Sequence, residues 1–291
     1  MLFSRRSAAA AAAAALAICT KTVLAQDAPM TGSYYVDAPT GINFSAWSTP
    51  GGSDGNGAFA FGYVLPDTAL QNDTNEYIGL LQCQTINTTL TGWCGIAHGG
   101  HMPSDLLLMA WPYQGHVYTS FRYVTDYFMP LQFGGPNGTN GTSAAFPAPR
   151  LTVIRSTANA TGYEIVYRCQ NCFSWQQGTY NETVHTATGD PDNVLVLGFA
   201  QAAKGPLNPA CPGNDLTFGF HDNGYGQWGA PVQNATRAAY AAWAKLATQA
   251  PNAGANLTAA NCAVPAPPKT TATAAPSSVL TAARRAVISL A

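Results

Sequence analysis

The chain has 291 residues, of which only 9% are charged, and its formal net charge at pH 7 is −1. A nucleic-acid partner is excluded, because it would need a basic stripe that this balance does not supply. Ordinary soluble domains carry about 25% charged residues, so we expect another hydrophilic component on the surface.

The first 25 residues are predicted to be a secretory signal peptide. Arg5 and Arg6 form a positive n-region, a run of alanines follows, and the segment ending at Ala25 is a cleavage site of the A-x-A type. The apolar run is shorter than the ~20 residues of a spanning helix, so no stable membrane insertion is expected. The predicted localisation is secreted and extracellular.

Nine N-x-S/T sequons agree with secretion, since such a density predicts a glycosylated surface. Glycans would supply the hydrophilic component that the low charge requires. The asparagines are Asn43, Asn72, Asn87, Asn137, Asn140, Asn159, Asn181, Asn234 and Asn256.

The middle of the chain is a series of short apolar runs separated by Gly, Pro, Asn and Asp, which is typical of an all-β sandwich or barrel. Residues 117–123 alternate between two faces, as expected for a half-buried strand. The predicted strands include Ala58–Val64, Tyr77–Thr85, Asp105–Trp111, His116–Val124, Leu151–Arg155, Tyr163–Arg168 and Val194–Ala200.

Six cysteines remain after the signal peptide, and an even number in a secreted chain predicts disulfides whose connectivity the sequence alone does not fix. We favour a bridge across the short loop between two strand-like runs and a bridge within the C-x-x-C motif. The pairs are Cys83–Cys94, Cys169–Cys172 and, by elimination, Cys211–Cys262.

One helix is predicted at the C-terminal end of the domain, from about Thr236 to Gln249. Alanine favours helices, and Tyr240 begins an apolar stripe at i, i+3 and i+7. Asn234 or Thr236 is placed to cap its start. We expect this helix to close one end of the domain.

A tail rich in Pro, Ala and Thr follows and cannot bury a core. We expect a linker or a disordered tail, with a GPI-anchor signal as an alternative that Arg284 and Arg285 disfavour. The predicted division is a signal peptide in residues 1–25, one domain in 26–250 and the tail in 251–291.

Two segments hold side chains suited to a redox-active metal. The first is the HGGHM sequence from His98 to Met102, and the second is His221, which lies between an apolar run and a glycine-rich turn. Imidazole and thioether are usual axial ligands of an electron-transfer haem. Taken alone, the first segment could also bind copper or form a plain turn. Taken alone, His221 could be a structural histidine that is held by hydrogen bonds.

Two other motifs are rejected. Cys172 is followed by Phe173, where a c-type haem attachment needs a histidine, and no βαβ context supports a thioredoxin-like pair. The G-x-G-x-x-G pattern that begins at Gly224 has neither a return strand nor an acidic residue about 20 positions on. Nucleotide binding, and with it a flavin domain, is therefore not expected.

These features resemble the cytochrome domain of fungal cellobiose dehydrogenases over about residues 31–250. The Gly-Gly turn before Met102, the apolar strand with a later Ala-Trp, the C-x-x-C motif and the segment around His221 carry the resemblance. It implies an immunoglobulin-like antiparallel β-sandwich and a non-covalent haem b ligated by Met102 and His221. It also implies that Tyr127 lies near the haem propionates and that the C-x-x-C cysteines form a structural disulfide.

Four neighbouring residues carry lesser expectations. Asp222 and Asn223 are candidates to orient the His221 imidazole through its second nitrogen. Met109 and Met129 are expected to fill the core.

The resemblance predicts a stand-alone b-type cytochrome that transfers single electrons, with no catalytic domain of its own and with ferric reductase activity left open. The expected donor is an extracellular flavin dehydrogenase, and the expected acceptor is a copper polysaccharide monooxygenase or a ferric complex. The alternatives are a copper-binding protein that uses the HGGHM cluster and a haem-free carbohydrate-binding β-sandwich. A copper monooxygenase is disfavoured, because cleavage would expose Gln26 and not a histidine.

Overall fold

The computed structural model describes residues 31–49, 58–84, 92–134, 145–187, 193–210, 213 and 216–249. These residues form two antiparallel β-sheets that share one core, so the predicted all-β sandwich is confirmed. The signal peptide, the tail and the predicted Cys211–Cys262 bridge lie outside the described residues. So do the sequons at Asn87, Asn137, Asn140 and Asn256.

The strands, in chain order, are β1 Thr31–Asp37, β2 Ile42–Thr49, β3 Phe59–Pro66, β4 Glu76–Gln84, β5 Trp93–Ala97, β6 Leu107–Tyr113, β7 His116–Tyr123, β8 Leu131–Gln132, β9 Arg150–Asn159, β10 Gly162–Gln170, β11 Ser174–Gln177, β12 Tyr180–Thr183, β13 Val194–Ala202, β14 Tyr225–Pro231 and β15 Thr236–Arg237. Two 3₁₀ helices, Asp67–Leu70 and Val232–Asn234, and two α-helices, α1 Tyr240–Ala244 and α2 Leu246–Gln249, complete the elements.

The first sheet has the order β1-β2-β3-β4-β10-β9, and β15 pairs in parallel with β3. The second sheet has the order β14-β13-β5-β6-β7-β8, and β11 pairs with β12 as a separate ribbon. The chain passes from the first sheet to the second between β4 and β5. The Cys83–Cys94 disulfide joins these two strands, as predicted. The predicted Cys169–Cys172 disulfide is also present, at the end of β10.

The inner faces of the sheets meet in an aromatic core. Phe61 is 1% exposed, and its ring lies 6.3 Å from that of Tyr77 and 5.9 Å from that of Trp228, which belongs to the opposite sheet. The predicted alternation in β7 is confirmed, since Val117 packs in this core and Tyr118 packs on the outer face of the second sheet.

The two helices cover the outer face of the first sheet. Tyr240 and Ala244 pack in a cluster with Phe44, Ile78 and Val166 from strands of that sheet. The helices therefore lie on a face of the sandwich and do not close one end. None of the described helices is long and apolar enough to cross a membrane.

The predicted helix start is wrong. Thr236 and Arg237 pair with Leu65 and Pro66 as β15, so α1 begins four residues later than predicted. Its N-cap residue is Ala239, which makes no side-chain capping bond. The predicted caps, Asn234 and Thr236, belong to other elements, because strand pairing takes the backbone groups that a helix start would need.

The outer face of the second sheet is covered differently. A buried cluster there, hereafter the outer cluster, combines residues of β5, β6, β7 and β13 with Leu216 and Phe218 from the connection between β13 and β14. Its members are Trp93, Ala97, Leu107, Met109, Trp111, Tyr118, Ala202, Leu216 and Phe218. Irregular segments cover this face where helices cover the other.

We expect Phe61→Ala to lower the free energy of unfolding by about 3–5 kcal/mol, because it removes a buried aromatic ring and leaves a cavity. Val36→Ala is the control, since Val36 is 57% exposed on β1 and should change stability by less than about 0.5 kcal/mol. Denaturant titration measures both. Equal effects of the two substitutions would contradict this assignment of the core.

Candidate functional site

Met102 lies in the connection from β5 to β6, which crosses the outer face of the second sheet. Its side chain is half-buried and packs against the outer cluster. Gly100 allows this close approach, because its φ is +96° and a Cβ on it would lie 2.6 Å from a methyl carbon of Val196 on β13. The Gly100 carbonyl accepts a hydrogen bond of 2.6 Å from Gln227 Nε2 on β14.

His221 lies in the connection from β13 to β14, on the same face. Phe218, three residues earlier, anchors this segment, with its ring 5.5 Å from that of Trp93 and 5.7 Å from that of Trp111. The imidazole is half-buried between two rings, 4.3 Å from Phe220 and 4.6 Å from Tyr225. The structure thus brings the predicted His221 and Met102 segments to one face of one sheet.

The His221 imidazole has an unmet hydrogen-bonding group. Its Nδ1 is buried and has no hydrogen-bond partner among the other described residues, and burial lowers the pKa of the ring, which favours the neutral form. A buried polar atom without a partner costs free energy unless a ligand satisfies the group. A neutral imidazole is also the form that ligates a metal. These properties fit a side chain that holds a haem iron.

The expected role of Asp222 and Asn223 is not borne out. Asp222 Oδ1 accepts the amide N–H of Ala203 at 3.0 Å, and the Asn223 amide N–H donates to the Gln201 carbonyl at 3.1 Å. Neither residue bonds to the imidazole in the described structure. Both instead fasten the His221 segment to the end of β13, because the segment needs partners for its backbone groups.

Small residues form the sheet surface between the two segments. Gly95 on β5 pairs with Ala200 on β13, and Ala97 pairs with Gly198. Paired residues of neighbouring strands point to the same face, and Ala97 and Ala200 belong to or contact the outer cluster. No side chain larger than a methyl group therefore projects from these four positions. The two glycines let neighbouring groups lie close to the sheet, since a Cβ on Gly95 would lie 2.9 Å from the Met109 sulfur and one on Gly198 2.6 Å from the Gly100 carbonyl oxygen.

Two connections carry exposed apolar side chains. Tyr127 is 76% exposed and Phe128 is 67% exposed on the segment after β7, and Phe220 is 73% exposed beside His221. Met129 is 38% exposed, so its predicted role as core filler is wrong, whereas Met109 is buried as predicted. The Met129 sulfur accepts the Phe218 amide N–H at 3.2 Å.

The two histidines of the HGGHM sequence lie in different environments. His98 is fully buried, with Nδ1 2.7 Å from the Leu106 carbonyl and Nε2 2.9 Å from the Tyr77 hydroxyl, whereas His101 is exposed. One His98 ring nitrogen also lies within 4.8 Å of the Cys169 and Cys172 sulfurs, but these are joined in a disulfide. Because both of its nitrogens are engaged in the core, His98 is unsuited to a copper cluster with Met102.

Fold and site define a β-sandwich domain in which the Met102 and His221 segments lie on one face of the second sheet. The sequence profile described as the cytochrome domain of cellobiose dehydrogenase matches residues 35–242. The chain belongs to this family. Haem b is the cofactor, as predicted.

Solved structures agree. The cytochrome domain of Myriococcum thermophilum cellobiose dehydrogenase is 37% identical, with a TM-score of 0.64, over 74% of this chain and 96% of that one. The cytochrome b domain of pyranose dehydrogenase from Coprinopsis cinerea is 29% identical, with a TM-score of 0.57, over 77% of this chain and 100% of that one.

A longer relative is a dehydrogenase that depends on another cofactor, pyrroloquinoline quinone. The pyrroloquinoline quinone-dependent pyranose dehydrogenase of Coprinopsis cinerea is 29% identical over 240 residues, which are 81% of this chain and 28% of the relative. The chain therefore spans just over a quarter of the length of this curated relative.

The buried His98 predicts a pH dependence of stability. Burial lowers the pKa of His98 from 6.5 to about 4, so between these pH values the unfolded chain binds a proton that the folded protein does not. Stability from this residue is present above pH 6.5 and is lost as the pH falls, by about 3 kcal/mol at pH 4. Denaturant titrations from pH 7 to pH 4 measure this fall as the difference between the native protein and His98→Gln, because the buried Asp105, whose pKa is raised to about 6, changes stability in the opposite direction in both proteins.

His98→Gln should show a shallower decline over the same range, because the titrating group is gone. His101→Gln is the control, since His101 is exposed and should keep the native slope. Parallel curves for the native protein and His98→Gln would show that His98 does not cause the decline.

Proposed function

We propose that this domain transfers single electrons through a haem b whose iron is ligated by Met102 and His221. The observation that supports this most directly is the His221 imidazole, which has a buried nitrogen without a partner among the other described residues and lies between two aromatic rings on the face against which Met102 packs. The haem supplies one-electron oxidation and reduction when bound.

The residues of the chain restrict the chemistry to electron transfer. Met102 and His221 would fill both axial positions, so no position remains for oxygen or a substrate. A thioether ligand favours the reduced iron and raises the reduction potential. Phe220 and Tyr225 flank the imidazole and limit access of water to it, and a drier site strengthens the electrostatic effect of each nearby group.

Electrons would enter and leave at the exposed edge near Tyr127. A phenol has an apolar ring that packs on a cofactor or a partner and a hydroxyl that reaches a polar group. The 76% exposure of Tyr127 suits contact with another protein. Tyr127 is thus proposed to lie beside the haem propionates, at the surface where partners dock.

The proposed donor is an extracellular dehydrogenase, and the protein itself is proposed to be secreted. The relatives are a cellobiose dehydrogenase domain and a pyrroloquinoline quinone-dependent dehydrogenase, so both a flavin enzyme and a quinone enzyme are donor classes to test. The proposed acceptors are a copper polysaccharide monooxygenase or a ferric complex, and reduction of the latter would be ferric reductase activity. Family membership and the position of His98 favour this function over the copper-binding and haem-free alternatives.

Met102→Ala and His221→Ala are each expected to convert the ferric optical spectrum from six-coordinate to five-coordinate or to lose haem, because one axial ligand is removed. His116→Ala and His101→Ala are controls, since both histidines are exposed and outside the proposed ligand pair, and they should keep the native spectrum. If Met102→Ala and His221→Ala both retain that spectrum, the ligand assignment is wrong.

Tyr127→Ala is expected to slow electron transfer from the partner by about tenfold, because an exposed aromatic at the centre of an interface contributes strongly to binding, while the optical spectrum stays native. Stopped-flow reduction by a flavin dehydrogenase and by a quinone dehydrogenase measures the rate. Tyr34→Ala is the control, since Tyr34 is 66% exposed on β1 of the first sheet. Equal rates for the two variants would remove Tyr127 from the proposed interface.

A further inference from the structure

The turn that carries Met102 closes around one buried carboxylate. Asp105 is 6% exposed, and its Oδ2 accepts the amide N–H of His101 at 2.5 Å. Gly99 lies directly against this carboxylate, so closely that a Cβ on Gly99 would collide with it. The carboxylate thus contacts the chain on both sides of Gly100, immediately before Met102.

Burial of the Asp105 carboxylate lowers the stability of the fold. Burial raises the pKa of Asp105 to about 6, although the amide N–H groups of His101 and Gly99 oppose the rise. The salt bridges formed by the described residues involve other carboxylates. A buried carboxylate without a cationic partner costs stability unless its hydrogen bonds compensate. Only 9% of the chain is charged, so a charge at this position indicates a specific role.

Gln227 and Asp105 hold the two sides of one peptide group, the one that joins Gly100 to His101. Gln227 Nε2 donates to its carbonyl oxygen from β14, and its N–H donates to the Asp105 carboxylate. On the far side, the Ser104 amide N–H donates to the Val124 carbonyl at 2.7 Å, and the Ser104 carbonyl accepts Trp175 Nε1 at 3.1 Å. The amide of His101, which precedes Met102 directly, is held by Asp105.

We propose that Asp105 is the positioning residue for Met102, fixing the Gly99–His101 turn so that the thioether reaches its place as a haem ligand. The inference rests on the proposed ligand role of Met102. Asp105 acts through the His101 amide and not on the sulfur. Charge-assisted hydrogen bonds to backbone N–H groups are about twice as strong as neutral ones, which suits a turn whose position must be reproducible.

Two substitutions break this contact in different ways. Asp105→Asn keeps the shape but removes the charge and replaces one carboxylate oxygen with an NH₂ group, which weakens the bonds that the side chain accepts from the backbone of the turn. Gly99→Ala keeps the charge but places a Cβ where the carboxylate lies. Because both act on one contact, their effects should not add in the double variant.

The experiment measures hydrogen exchange of residues 98–105 by mass spectrometry in the haem-loaded protein, together with its ferric spectrum. Each single variant is expected to speed exchange in this segment by about tenfold or more and to increase the five-coordinate fraction. The double variant should do little more than either single one.

Asp73→Asn is the matched control. Asp73 Oδ1 also accepts two backbone N–H groups, from Thr186 at 2.8 Å and Ala187 at 2.7 Å, but it lies away from Met102 in another part of the fold. This variant should speed exchange around residues 186–187 and leave residues 98–105 and the spectrum unchanged.

Native exchange in Asp105→Asn would overturn the proposal, and so would additive effects of the two substitutions. If Asp105→Asn does not fold, the same measurements on Gly99→Ala test the proposal. Faster exchange with an unchanged spectrum would also overturn it, because the turn would then move without moving a ligand. Met102→Ala distinguishes a failure of the Asp105 proposal from a failure of the proposed function. A native spectrum in Met102→Ala would show that Met102 is not a ligand, whatever Asp105 does.

Discussion

Each apolar outer face of a β-sandwich needs a cover of its own, because the packing of the two sheets against each other buries only the inner faces. In this protein α1 and α2 cover the first sheet, and the connections that carry Met102 and His221 cover the second. These connections therefore have to pack well for stability and place two side chains for function. Buried polar atoms that lack a partner in the described structure include Trp93 Nε1, His221 Nδ1 and Asn223 Oδ1, all on or beside this face. Such local departures from a fully satisfied interior are expected where a fold is arranged for function.

Both connections are held by backbone and side-chain hydrogen bonds. The Asn223 amide and the Asp222 carboxylate attach the His221 segment to the end of β13, and Asp105 from within and Gln227 from β14 hold the Met102 segment. Gln227 follows His221 by six residues and lies on β14. The strand that begins after His221 therefore holds the turn that precedes Met102. The two proposed ligands are thus coupled through protein contacts alone.

Local patterns predicted some parts of this architecture and not others. The alternation of residues 117–123 identified β7 and its two faces, because Val117 and Tyr123 pack between the sheets, whereas the other face carries the polar Ser120 and Arg122 beside Tyr118. β5 and β14 are not among the predicted strands: all five residues of β5 are buried, so it shows no alternation, and β14 contains the glycines that were assigned to a turn. The helix start was misplaced because the pairing of β15 with β3 is a long-range contact. Met102 and His221 were found through their resemblance to a family, whereas the contacts of Asp105, Asp222 and Gln227 depend on the folded chain.

The position of β13 has a consequence for the speed of electron transfer. β13 pairs with β5 on one side and with β14 on the other; β5 leads into the Met102 turn, and β14 begins four residues after His221. Neighbouring strands lie about 4.8 Å apart, so the strands next to the two proposed ligand segments, β5 and β14, are held two such spacings apart by β13. Hydrogen bonds of a sheet do not lengthen appreciably when the charge of a nearby group changes. The iron would therefore keep nearly the same surroundings in both oxidation states, and the reorganisation energy, which sets the barrier to electron transfer, would be small.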